Sequence, residues 1–185
     1  FAASRDVDIM RRLLDAGAGI GSLSDAFLRR WLAGGFTYQQ VEVDAFEIDQ
    51  ALHAKLADTL GQYRQYPGVS IHIRGEDFID TASDWLSGSL FASPLPAYSH
   101  AILNPPYKKI HSDSAHRAAL RRAGIETVNL YTAFVALALG LLPEHGQMVA
   151  IIPRSFCNGP YYKPFREFVL QRAVLCHGAG AEPRP

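Results

Sequence analysis

Short apolar runs alternate with helix-length segments along nearly the whole chain, and most of the runs end on residues that turn the backbone. This alternation restricts the fold, because strands separated by crossover helices form a parallel sheet covered on its faces. Residues 12–15 read as a first strand and 19–32 as a first helix. Leu23, Ala26, Phe27 and Leu28 form the helix's apolar stripe, and Gly34-Gly35 stops it. Residues 40–48 read as a second strand, 50–60 as a helix ending at Gly61, 69–74 as a third strand, and 83–90 as a short helix. A fourth strand follows at 99–103, then a polar, basic excursion at 108–124 and a long apolar helix at 127–142. A fifth strand at 146–152, a helix at 162–171 and a sixth strand at 173–176 complete the pattern, and the Gly-Ala-Gly-Ala-Glu-Pro-Arg-Pro tail from Gly178 is expected to be disordered. The predicted class is α/β, with a mostly parallel central sheet flanked by helices.

A chain of 185 residues fits one domain with a substantial core. Lys+Arg equals Asp+Glu at 18 each, so net charge selects no partner and only the location of the charge carries information. Cys157 and Cys176 have neither metal-ligand nor Cys-x-x-Cys spacing. Two unclustered thiols imply a reducing, cytoplasmic setting without a structural disulfide, and no metal site is expected. No apolar run reaches transmembrane length, no secretory signal is present, and residues 133–142 read as a core helix.

Four strand ends carry chemistry. After the first strand comes Leu14-Asp15-Ala16-Gly17-Ala18-Gly19-Ile20-Gly21, whose glycines allow a tight turn and close backbone approach to a ligand. It lacks the Gly-Lys-Ser/Thr of a triphosphate loop. Asp15 suits an ammonium or another donor. After the second strand, Glu47 lies 30 residues beyond Gly17, where an acid can accept from ribose hydroxyls, and Asp49 reads equally as a helix N-cap. After the third, Gly75-Glu76-Asp77-Phe78 offers a carboxylate and an aromatic ring. After the fourth, the run Ala101-Ile102-Leu103 breaks into Asn104-Pro105-Pro106-Tyr107. The prolines fix φ and remove amide donors, leaving an amide oxygen, a backbone carbonyl and an aromatic face. Together these suit a flat ring that bears an amino group, with adenine the leading candidate.

These motifs, in this order, resemble an S-adenosylmethionine-dependent DNA adenine-N6 methyltransferase of gamma-type motif order. The stretch Ile152-Pro153-Arg154-Ser155-Phe156-Cys157-Asn158-Gly159-Pro160-Tyr161-Tyr162 resembles Eco57I-type restriction-modification methylases. The resemblance covers residue 13 to about residue 170 and implies a Rossmann-like class I methyltransferase fold. It implies that the backbone from Asp15 through Ala16 and Gly17 to Gly19 cradles the methionine part of the cofactor. Glu47 would bind the ribose and Ile48 would pack on the cofactor adenine. Asp77 would accept from its amino group, with Phe78 nearby. Asn104 and the Pro105 carbonyl would hold the target N6, and Pro106 and Tyr107 would complete the catalytic loop, Tyr107 stacking on the base. Double-stranded DNA with a flipped adenine, and a restriction endonuclease or specificity domain, are the implied partners.

The excursion from Lys108 to Arg122 holds five Lys/Arg (Lys108, Lys109, Arg117, Arg121 and Arg122), two His (His111 and His116) and one acid, Asp113. Beside the catalytic loop such a cluster suits DNA phosphates, or else forms a solvated helix face. Measured against the family, the catalytic domain (residues 1–177) is expected to be truncated at both ends, with the target-recognition domain absent. Two alternatives share the sequence features: methylation of another planar amino group, on a protein glutamine or an RNA guanine, and a non-catalytic module that binds the cofactor.

Overall fold

The computed structural model describes residues 10–174. Its sheet has five strands: β1 (Met10–Ala16), β2 (Gln40–Phe46), β3 (Val69–Arg74), β4 (His100–Leu103) and β5 (Gln147–Ala150). They lie in the order β3-β2-β1-β4-β5, and each neighbouring pair is parallel. Six α-helices are described: α1 (Ser22–Leu32), α2 (Gln50–Gly61), α3 (Phe78–Leu86), α4 (Ala115–Arg122), α5 (Leu130–Leu141) and α6 (Lys163–Arg172). None of the described helices is long and apolar enough to cross a membrane. The α/β expectation and the parallel sheet are therefore met.

Strand periodicity builds two cores. Successive side chains point to opposite faces, so Leu13 joins Val43, Ile71 and the helix residues Leu28, Leu56 and Leu60 on one side. Leu14 joins Phe46, Ala101, Leu103 and residues of α3, α4 and α5 on the other. Leu13 and Leu14 are both 0% exposed, and burial of such a side chain contributes about 1.5–3 kcal/mol. A strand buried on both faces reads as a continuous apolar run, which is how β4 looked in the sequence.

The strand order reverses between β1 and β4. β1 leads out to β2 and β3 on one side, and the chain returns to β4 on the other. Ligand crevices in open parallel sheets form at the carboxyl ends beside such a reversal. That is where β1 delivers the glycine loop and β4 delivers Asn104.

Several boundaries differ from expectation. The third helix begins at Phe78, not residue 83, because the Asp77 side chain caps it by accepting from the amides of Ile79 and Asp80. The basic excursion contains α4, capped by Ser114, whose Oγ accepts from the Arg117 amide. β2 ends at Phe46, which leaves Glu47 and Ile48 beyond the sheet. Of the expected sixth strand, Ala173 and Val174 are not in a strand, and the remainder, with the tail, lies outside the described residues.

Candidate functional site

The carboxyl ends of the strands open into one cleft of about 310 Å³, at the lower end of the range usual for small-molecule sites. Gly17 and Gly19 line it from the first loop, Glu47 and Ile48 from the second, Asp77 and Phe78 from the third, and Asn104 and Pro106 from the fourth. Four sequence segments thus meet at one place. Phe46, Glu76 and Phe134 also line the cleft and were not singled out from sequence. Glu76 is the neighbour of the acid that was chosen. Phe46 and Phe134 sit in apolar runs indistinguishable from core until folded.

The first loop turns through left-handed glycines, with φ of 77° at Gly17, 59° at Gly19 and 85° at Gly21. Such angles disfavour any side chain. A Cβ on Gly21 would also come within 2.9 Å of Leu56 Cδ1. The loop amides have partners inside the protein. Those of Gly17 and Ala18 donate to the Phe46 carbonyl at 3.0 and 2.8 Å, and that of Gly19 donates to Glu47 Oε2 at 2.8 Å. The loop therefore offers close approach and shape more than spare donors. Ala16 is fully buried in β1, so only its backbone is near the turn.

Asp15 requires a correction. Its carboxylate was expected to meet a ligand donor, but the side chain is 1% exposed and does not line the cleft. Oδ2 accepts from Ser24 Oγ of α1 at 2.6 Å, while Oδ1 is buried without a hydrogen-bond partner. Burial pushes its pKa up to about 6, against the opposing hydrogen bond from Ser24. The alternation of β1 sends Leu14 to one core and Asp15 under α1.

Glu47 bridges two segments. Oε2 takes the Gly19 amide, and Oε1 takes the Asp49 amide at 2.8 Å. Each oxygen keeps a further lone-pair site for a ligand hydroxyl. His53 of α2 fixes the residue from behind, with its Nε2 2.6 Å from the Glu47 carbonyl oxygen. Asp49 is the N-cap of α2 and accepts from the Ala51 amide. Ile48 is 60% exposed and presents an apolar face to the cleft. Asp77 uses Oδ1 for the α3 cap, and its Oδ2 lies 3.0 Å from His116 Nε2.

At the fourth loop Asn104, Pro106 and Tyr107 are exposed and Pro105 is buried. The Tyr107 hydroxyl is 3.2 Å from Asn104 Oδ1 and 3.1 Å from the Ile151 carbonyl oxygen. One phenolic proton serves two acceptors there, so Asn104 Oδ1 retains capacity for another donor. The Tyr107 ring, 56% exposed, meets Tyr131 edge-on at 6.1 Å, and Tyr131 meets Tyr162 at the same distance. Asn129 Nδ2 donates to the Tyr162 hydroxyl at 3.3 Å. Burial pushes Tyr131 up to about 12, keeping it a neutral wall of this aromatic row. Within the stretch 152–162, Phe156 packs on the core and Tyr161 is 82% exposed. Tyr162 is the residue that joins the row.

The basic excursion divides. Lys108 and Lys109, directly after Tyr107, are exposed. Arg117 was expected to contact DNA and is instead 8% exposed, its guanidinium bonded to the Thr127 carbonyl and the Glu126 carboxylate. Arg121 pairs with Glu126 at 3.2 Å and Arg122 with Asp84 of α3 at 3.2 Å. These two remain more than half exposed, so their charges are partly spent within the fold.

Residues 97–177 match the family model described as Eco57I restriction-modification methylase. The type II methyltransferase M.BsuBI of Bacillus subtilis is 48% identical over 168 residues, 90% of this chain and 33% of that protein. The type II methyltransferase M.PstI of Providencia stuartii is 39% identical over 167 residues, 88% of this chain and 32% of that protein. The chain thus spans about a third of the length of these relatives. Among solved structures, a class I S-adenosylmethionine-dependent methyltransferase from Listeria monocytogenes superposes with a TM-score of 0.63 at 13% identity, over 89% of this chain and 46% of that one. The methyltransferase subunit of a type I restriction-modification system from Streptococcus thermophilus gives 0.61 at 19% identity, over 87% and 33%. Fold and relatives converge on the resemblance read from the sequence: the chain has the class I methyltransferase fold, and its residues 97–177 match the Eco57I restriction-modification methylases.

Proposed function

We propose that this chain is the catalytic core of a site-specific DNA methyltransferase, which moves a methyl group from S-adenosylmethionine to the N6 amino group of adenine within a restriction-modification system. One observation carries the reading: Asn104 shares a single cleft with Gly17, Glu47, Asp77 and Phe78. The donor and acceptor set fits the cofactor. Glu47 keeps lone pairs that would accept from ribose hydroxyls, Ile48 and Phe78 would pack beside the adenine, and Asp77 would accept from its amino group. When bound, the cofactor supplies a methyl group already activated by its sulfonium.

The chain's own task is alignment. An aromatic amino nitrogen is a poor nucleophile because its lone pair is delocalised into the ring. Asn104 Oδ1 and the Pro105 carbonyl accept from its two hydrogens and favour the charge that develops on nitrogen. The prolines hold these acceptors still. Tyr107 offers a face for a base that has left the duplex, since a stacked base cannot reach the loop. Lys108 and Lys109 supply phosphate contacts beside it. A restriction endonuclease or a specificity domain is the partner of this reading.

The experiment is a transfer assay with labelled cofactor on the protein carrying this chain, paired with calorimetry. The label should reach N6 of adenine in DNA. Asn104→Ala should lower transfer by roughly 10²–10³-fold, the effect of losing one preorganised group at the reacting centre, and leave cofactor affinity within about twofold. Loss of both would make Asn104 a folding residue. Label on a protein glutamine or RNA guanine would replace the substrate, and binding without any transfer would leave a cofactor-binding module.

A further inference from the structure

We infer that His116 is a positioning residue of the cofactor cleft, holding the Asp77 carboxylate toward the amino group of the cofactor's adenine; this rests on the cofactor reading above. Asp77 serves two elements at once. Oδ1 accepts from the amides of Ile79 at 2.7 Å and Asp80 at 3.2 Å, which ties one oxygen to the start of α3. Oδ2 takes no part in the cap and lies 3.0 Å from His116 Nε2 on α4. A carboxylate oxygen has two acceptor directions, so Oδ2 can receive the imidazole N–H and a ligand amino group together. The cap restrains the otherwise broad carboxyl torsion through Oδ1, and the imidazole adds a second restraint through Oδ2. With the imidazole as well, each oxygen has a partner on a different helix, and Asp77 itself lines the cleft.

The surroundings support a directed contact. The His116 side chain is 34% exposed and that of Asp77 is 23% exposed, so the pair is partly shielded from water. α4 is anchored independently of His116. Arg122 reaches Asp84 of α3 at 3.2 Å, and Leu120 and Ala119 are buried. The histidine is therefore delivered by an element held by other contacts. Glu76 and Asp80 flank Asp77 in sequence and near space, and burial followed by Asp77 pushes Asp80 upward while His116 pulls it down. Donor atoms of Asp77, Asp80 and His116 lie within 4.8 Å of one another, so retention of an ion is a competing explanation and belongs in the test.

The test measures binding of S-adenosylhomocysteine, and of its analogue lacking the 6-amino group, to the protein carrying this chain. His116→Leu keeps bulk and removes the donor; His116→Gln keeps an N–H. His116→Leu should weaken S-adenosylhomocysteine about tenfold and leave the analogue within about twofold, and His116→Gln should recover most of the loss. A chelator should change neither affinity. Equal weakening of both ligands would mark a merely structural histidine and overturn the inference. So would an unaltered affinity in His116→Leu, no recovery in His116→Gln, or chelator-sensitive binding. A wild-type protein that binds no S-adenosylhomocysteine would overturn the cofactor reading itself, and the inference with it.

Discussion

At the scale of single residues, Tyr107 shows how one side chain serves several purposes. Its ring presents a face, while its hydroxyl reaches Asn104 Oδ1 and the Ile151 carbonyl. These can be separated. Tyr107→Ala removes both and should raise KM for DNA by the equivalent of roughly 1–3 kcal/mol, the usual worth of a stacked base. Tyr107→Phe keeps the ring and frees the Asn104 acceptor, so its KM should stay at or below the wild-type value. An unchanged KM in the alanine variant would remove the stacking role. Glu47 teaches a related lesson. The sequence marks it as a ribose acceptor, and its carboxylate also clamps the Gly19 amide at 2.8 Å.

Among the elements, α4 changes the reading most. Five cations in a short stretch suggested a phosphate surface, yet folding places Arg117 against Thr127 and Glu126. The charges outside this network, Lys108 and Lys109, precede the helix. Replacing both lysines with alanine should weaken DNA binding and reduce the slope of log affinity against log salt by about 2. Arg117→Ala should leave that slope unchanged and destabilise the protein by ~2 kcal/mol, because it strands a buried carbonyl and opens packing. Salt titration of DNA binding and urea unfolding separate the two outcomes. The stretch that carries the two lysines is itself tied to the start of α5, since the Ile110 amide donates to Val128 O and the Leu130 amide to Lys108 O, each at 2.8 Å.

For the whole molecule, two buried groups set opposing responses to pH. Burial raises the Asp15 pKa from 3.8 to about 6, so its contribution to stability is full below 3.8 and is lost as pH rises through about 6. Burial lowers the His100 pKa from 6.5 to about 4, so its contribution is full above 6.5 and is lost as pH falls toward 4. The two oppose each other across the same window, so a variant is needed to separate them. Against Asp15→Asn, wild-type unfolding free energy should fall by roughly 2–3 kcal/mol between pH 3.5 and pH 7, measured by urea titration at each pH. A constant difference would mean Asp15 is not buried as an acid. Much of this molecule was readable from local patterns. Apolar runs marked the five strands, glycines the first turn, and Asn104-Pro105-Pro106-Tyr107 the loop after β4, because each depends on a few adjacent residues. Other features depend on residues far apart in the chain. Asp15 meets Ser24, Phe134 enters the cleft from α5, Arg117 turns inward to Glu126, and His116 crosses 39 positions to Asp77. Local pattern names what a residue can do; the packing of one element on another selects which partner it meets, and that choice is made only when the chain closes on itself.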